Sequence, residues 1–263
     1  MAKLCEKLWN WGHLEGSHDD YTKSKNTMTP ERFAEEYGVK NAFIISFTGN
    51  IQPPFDDMAD RFSVIRELKW SVLGDASTPL PEHELGNTPD IINVLDRANI
   101  TGGIVDDFFD PNRMERFTPE VLKKIKAELN AHGRDFWCVL YDRQLTLDLS
   151  PYVDCFDGIT FWIWKPENIC HMDEYYKTLR GIIGEDKPLM LGIYLFDYEG
   201  GCQIPADIFE SQISRYFDML KTGDIEGVIF CSSALADDSL ESCRILKHYV
   251  REMGDVEICE REG

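Results

Sequence analysis

The chain has 263 residues, 43% of them hydrophobic and 28% charged, the balance of a folded globular protein rather than a disordered or collagenous one. Against 27 Lys and Arg stand 47 Asp and Glu, a net charge of −20, and no basic cluster could follow a phosphate backbone, so neither nucleic acid nor an anionic membrane is an expected partner. No apolar run approaches the roughly 20 residues that cross a bilayer, and Met1-Ala-Lys-Leu-Cys-Glu-Lys lacks the apolar core of a signal peptide; a cytoplasmic location is the expectation. The eight cysteines are scattered without a Cys-x-x-Cys pair, which predicts mostly reduced thiols, several of them buried.

From the N-terminus onward one unit recurs: a short run rich in Val, Ile, Phe and Trp, a polar loop, then an amphipathic helix. Strands are expected at 8–13, 41–48, 69–75, 100–107, 135–142, 157–164, 187–197 and 225–232. Helices are expected at 29–37, 55–67, 88–98, 118–132, 167–183, 205–222 and 239–253, and the fifth connection, 146–155, holds only a short turn. Helix starts repeat a capping Thr, a Pro and an acid at Thr29-Pro30-Glu31, Thr88-Pro89-Asp90 and Thr118-Pro119-Glu120. Helix ends repeat a glycine, at Gly38, Gly133, Gly184 and Gly223.

Eight such units predict a closed (β/α)8 TIM barrel, and the length suits a single domain over 1–263. An open doubly wound sheet would typically carry a Gly-rich phosphate loop after its first strand. Glu15-Gly16-Ser17-His18-Asp19 stands there instead. The polar stretch 76–90, with Pro79, Pro81 and Pro89, is expected to be an active-site loop.

In barrels the chemistry collects at the C-terminal ends of the strands. Here those ends carry Trp11, His13, Glu15 and His18; Ser46, Thr48 and Asn50; Asp75; Asp106 and Asp107; Tyr141, Asp142 and Arg143; Trp162 and Trp164; Tyr194, Asp197 and Tyr198; and Ser232, Ser233 and Asp237. The sharpest element is Gly102-Gly103-Ile104-Val105-Asp106-Asp107-Phe108-Phe109, an apolar strand that ends abruptly in two acids. Because strand side chains alternate, one of the two is expected to face the barrel axis. Glycoside hydrolysis needs two carboxyls, one protonated and one ionised. Asp106 or Asp107 with Asp197 forms the expected catalytic pair, and Asp75 and Asp142 lie on strands adjacent to the fourth. Trp11, Tyr141, Trp162, Trp164 and Tyr194 supply stacking surface for pyranose faces, and His13, His18, Asp75 and Arg143 supply polar contacts. A carbohydrate ligand, no cofactor and no metal are expected.

The strand ending in Asp106-Asp107 resembles the catalytic strand of glycosidase barrels, including chitinase-like and polygalactosaminidase-like families. The chitinase spacing Asp-x-Asp-x-Glu is absent, since Phe108-Phe109 follow. With Trp11-Gly12-His13 and Ser71-Val-Leu-Gly-Asp75, the whole chain also resembles bacterial glycosidase-like barrel proteins of unassigned activity. That resemblance implies a glycosidase-type site on this rim and names no reaction.

Two other readings compete with a glycoside hydrolase acting on a neutral or cationic sugar. One is a non-catalytic carbohydrate-binding barrel, whose acids bond sugar hydroxyls without turnover. The other is a metal-dependent hydrolase built on His13-x-Glu15-x-x-His18. A phosphate site after Gly200-Gly201 is disfavoured by Asp197, Glu199, Asp237 and Asp238, which would repel the dianion.

Overall fold

In the computed structural model, which describes residues 2–237 and 239–259 and so leaves Asp238 outside the described residues, each expected apolar run forms a strand. These are β2 (Leu8–Gly12), β3 (Asn41–Ile44), β4 (Glu67–Ser71), β5 (Ile100–Val105), β6 (Asp135–Tyr141), β7 (Gly158–Trp162), β8 (Leu189–Tyr194) and β9 (Gly227–Cys231), and they close in that order into a parallel barrel. β1 (Ala2–Lys3) pairs antiparallel with β10 (Glu257–Ile258) outside it. The helices are α1 (Asp19–Thr22), α2 (Pro30–Tyr37), α3 (Asp56–Phe62), α4 (Thr88–Ile92), α5 (Pro111–Arg116), α6 (Pro119–Ala131), α7 (Met172–Ile183), α8 (Ala206–Thr222) and α9 (Glu241–Met253). Among the described residues no helix is long and apolar enough to cross a membrane.

Local signals held unevenly. All four helix-ending glycines take a positive φ, between 68° and 85°, where a Cβ would be strained. Thr29 caps α2 by accepting from the Arg32 N–H at 3.2 Å. Thr118 occupies the cap position of α6 without a side-chain cap bond. Thr88 lies inside the first turn of α4, where Asn87 precedes it. The expected helix over 88–98 is short: α4 ends at Ile92 and the chain from Asn93 onward continues as turns. The fifth connection holds two short 3-10 turns, Asp142–Gln144 and Val153–Cys155. Among the described residues no cysteine forms a disulfide, and Cys138, Cys155, Cys231 and Cys243 are buried.

The chain divides into two compact units. The first comprises Met1–Ala42, Ile163–Met172 and Leu189–Gly263. In it β9 pairs with both β2 and β8, with Trp11 and Tyr194 each in register with Cys231. On its helical side Phe33 and Tyr37 of α2 stack at 4.3 Å, and the Lys247 ammonium of α9 sits 4.2 Å over the Tyr37 ring.

The second unit comprises Phe43–Trp162 and Asp173–Pro188. Trp70 packs on Phe55 and Phe62 at 5.1 and 5.9 Å, so alternation turns Lys69 and Ser71 to the opposite face of β4. There Lys69 Nζ donates to both oxygens of Asp135, at 2.6 and 2.7 Å, and lies 5.0 Å over the Trp137 ring. Gly102 sits in register between Lys69 and Asp135, and a Cβ there would meet Asp135 Oδ1 at 1.7 Å and the Asp135 carbonyl at 2.7 Å. Gly103 faces the other way, where a Cβ would meet Leu129 at 2.9 Å. The glycine pair of the fourth barrel strand is therefore a packing requirement on both of its faces. Gly102→Ala is expected to cost about 1–3 kcal/mol, the usual penalty of overpacking, because the Asp135 backbone cannot rotate away. Denaturant unfolding checks this, and an unchanged midpoint would refute it.

Candidate active site

β5 brings Asp106 and Asp107 to its C-terminal end inside the second unit. The strand's alternation stops there, because Asp107 takes a left-handed backbone at φ 45°, an unfavourable region for a residue with a Cβ. Asp106 is 5% exposed, and its Oδ1 accepts the Asp107 N–H at 2.8 Å. The half-buried Asp107 carboxylate accepts the Tyr141 hydroxyl on Oδ1 at 3.0 Å and the Ala76 N–H on Oδ2 at 3.1 Å. Asp75 is held by its own loops: Oδ1 accepts from Thr48 N–H at 3.2 Å and from the Thr78 hydroxyl at 2.6 Å, and Oδ2 from the Ser77 hydroxyl at 2.6 Å. The expected loop 76–90 thus contributes its first residues to this network.

Two neighbouring carboxyls therefore occupy unlike environments. Burial pushes the Asp106 carboxyl well above the usual carboxylate range, the Asp107 and Asp75 charges push it further, and Arg113 opposes them. This direction favours the protonated form of Asp106 relative to an exposed carboxyl. Arg113, 3% exposed, directs its guanidinium to backbone: Nη1 donates to Gly74 O at 3.0 Å and Asp106 O at 3.1 Å, and Nη2 donates to Asp75 O. Tyr141 carries the exposed Arg143 guanidinium 4.3 Å over its ring.

The first unit gathers a different set. The buried rings of His13 and His18 stack at 4.6 Å, and Ser17 Oγ lies 2.9 Å from His18 Nδ1. Burial, reinforced by His18, holds the His13 imidazole well below its usual pKa. Tyr198 touches His18, Tyr21, Tyr194 and Phe196 at centroid distances of 5.3–5.8 Å. Trp164 lies nearly parallel to Tyr198 at 6.4 Å and edge-on to Tyr194 at 5.4 Å. Trp164, Tyr194 and Tyr198 are half-buried and Tyr21 is exposed. Glu15 is exposed beside the stacked histidines, and the described residues contain no group of three or more His, Cys, Asp or Glu arranged to hold a metal ion.

The remaining expected site residues are placed in the walls and turns. Trp11 is buried at the end of β2. Trp162 is 2% exposed, with its indole N–H donating to Thr160 Oγ1 at 3.0 Å. Asp197 closes a turn of its own, Oδ1 accepting from Glu199 N–H at 3.1 Å and Gly200 N–H at 2.9 Å. Phe108, two residues after Asp106, is fully buried against Phe109, Tyr152 and Phe156. Sequence reasoning missed Arg113. Its signal was Asp110-Pro111, a capping acid before a proline like those of the longer helices: Asp110 Oδ1 accepts the Asn112 N–H at 3.0 Å and starts α5.

No protein-family model matches the chain, and no curated protein matches it. Solved structures do. A GH18 chitinase from Pseudoalteromonas aurantia aligns with a TM-score of 0.60 at 11% identity, covering 91% of this chain and 98% of that one. The spore cortex-lytic enzyme of Bacillus megaterium aligns with a TM-score of 0.60 at 9% identity, over 97% of this chain and 75% of that one. A xylanase and α-amylase inhibitor protein, solved in complex with trehalose, aligns with a TM-score of 0.58 at 10% identity, over 94% of this chain and 98% of that one. At such identities the likeness is one of fold: the chain is a (β/α)8 barrel.

Proposed function

We propose that this protein is a glycoside hydrolase acting on a neutral or cationic sugar through Asp106 and Asp107. The observation that carries the reading is the unlike environment of two adjacent carboxyls. Asp106, buried and with its carboxyl pushed above the usual carboxylate range, is suited to donate a proton to a departing glycosidic oxygen. Asp107, half-buried and oriented by the Tyr141 hydroxyl and the Ala76 N–H, is suited to attack the sugar or activate water. Environments that separate the ionisation of two neighbouring acids are how such sites divide acid from base. This pairing departs from the sequence expectation at Asp197, whose Oδ1 closes a local turn. Arg143 offers a donor beside Tyr141. A site holding Asp75, Asp106 and Asp107, whose buried guanidinium bonds only carbonyls, on a chain of net charge −20, disfavours an anionic sugar. The chitinase and the spore cortex-lytic enzyme that share the fold support a glycan as substrate.

A second reading is favoured by one observation: Asp106-Asp107 are followed by Phe108-Phe109, with Phe108 fully buried, so the chitinase Asp-x-Asp-x-Glu run is absent, and the inhibitor solved with trehalose shares the fold. On that reading the rim binds sugar without turnover. A panel of neutral and amino-sugar oligosaccharides, assayed for binding and for new reducing ends, separates the two. Hydrolysis is the expected result, and binding without any released reducing end would move the protein to the second reading.

A further inference from the structure

Arg113 occupies an unusual position for a buried cation. A guanidinium 3% exposed ordinarily takes a carboxylate in its fork, and three carboxyls cluster nearby. Its hydrogen bonds go instead to the carbonyls of Gly74, Asp75 and Asp106. Gly74 and Asp75 follow β4, and Asp106 follows β5, so a single planar group ties the ends of two neighbouring strands. Those ends carry every acid of the cluster: Asp75 itself, Asp106 itself, and Asp107 one residue on. Gly74 holds its carbonyl by a left-handed turn at φ 72°, where a Cβ would strike Thr78 at 2.6 Å. Arg113 reaches this place because the Asp110 cap and Pro111 start α5, and the Asp110 carbonyl accepts the Arg113 N–H at 3.0 Å.

We propose that Arg113 is a positioning residue for the Asp106 and Asp107 carboxyls, fixing the spacing of the two strand ends while leaving the carboxylate oxygens free of its own fork for the reaction. The inference rests on the carboxylate-based reading given above. A direct ion pair would occupy the oxygens that must give or take a proton, whereas bonds to carbonyls place the positive charge beside the acids without capturing them. The groups facing Asp106 are Asp107 at the end of its own strand, Asp75 after β4, Arg113 on α5 and Cys138 on β6. Arg113 is the one cation of that set. A lysine in its place would keep the charge and lose the rigid fork that spans three acceptors.

Two variants separate charge from fork, with native near-UV circular dichroism as the entry condition. Arg113→Met should raise the titration midpoint of the Asp106 carboxyl, followed by NMR of carboxyl-labelled aspartate, by about one unit or more. Arg113→Lys should leave that midpoint near wild type, shift the Tyr141 Cζ resonance that reports its bond to Asp107, and lower kcat about tenfold or more with KM little changed. The proposal is overturned if Arg113→Met leaves both NMR signals where they were, or if Arg113→Lys matches wild type in the Tyr141 signal and in kcat. Should Arg113→Met not fold, the Tyr141 signal of Arg113→Lys decides alone. Should the wild-type protein hydrolyse no glycan, the NMR measurements still judge Arg113, so its failure and that of the hydrolase reading are distinct.

Discussion

Asp107→Asn is expected to lower kcat/KM on the hydrolysed glycan by about 10²–10⁴-fold, the range for removing a group that moves a proton or activates a nucleophile. The substitution keeps the shape of the site. Asparagine Oδ1 can still accept the Ala76 N–H, and its Nδ2 can donate to the Tyr141 oxygen, so both contacts of the native carboxylate have a counterpart. What disappears is the charge. Sugar affinity should therefore be largely retained, and the loss should fall in kcat. Steady-state kinetics and calorimetry on the same glycan read both. Hydrolysis left intact by Asp107→Asn would remove Asp107 from the mechanism while leaving the enzyme class standing.

Asp106→Asn has its largest expected effect on the pH dependence of stability. Asp106 is raised well above its ordinary value in the folded state, first by burial and then by Asp107 and Asp75. In the unfolded chain it ionises near pH 4. Between those two values the native state holds a proton that the unfolded state has released, so stability falls as pH rises, by up to about 1.4 kcal/mol per pH unit from this one group. The stabilising contribution is complete below the unfolded value and is lost as pH climbs through the folded one. Asparagine cannot ionise, so the variant should gain on the wild type steadily from about pH 4 upward. Urea unfolding at a series of pH values between 4 and 8 measures the difference. Parallel stability curves for the two proteins would mean that Asp106 is ionised when folded, and the assignment of the proton donor would fail with it.

Much of this architecture was legible in one dimension because its causes are local. Apolar runs of strand length, proline at first helical positions and glycine at helix ends act within a few residues, and they located all eight barrel strands and the four left-handed helix ends. The abrupt change from Val105 to Asp106-Asp107 marked where the carboxyls would stand, at the end of an apolar strand. Tertiary structure alone decided what each acid is. The Asp106 carboxyl is pushed above the usual carboxylate range because burial, the adjacent Asp107 and the Asp75 carboxyl, some 30 positions earlier in sequence, act on it together, and no local pattern encodes that sum. Asp107 points at Tyr141 because its backbone turns left-handed, against the alternation that the strand led us to expect. The glycines before them, read as part of an apolar run, owe their identity to Asp135 on the next strand and Leu129 on a helix. Asp197, equal to the others as a strand-end acid in sequence, finds its donors in the amides of its own turn. Asp110-Pro111 marked the start of the helix that carries Arg113, but the residue's place could not be read there, because its partners are backbone carbonyls, which carry no side-chain signature, and only the approach of two strand ends brings them within reach of one guanidinium.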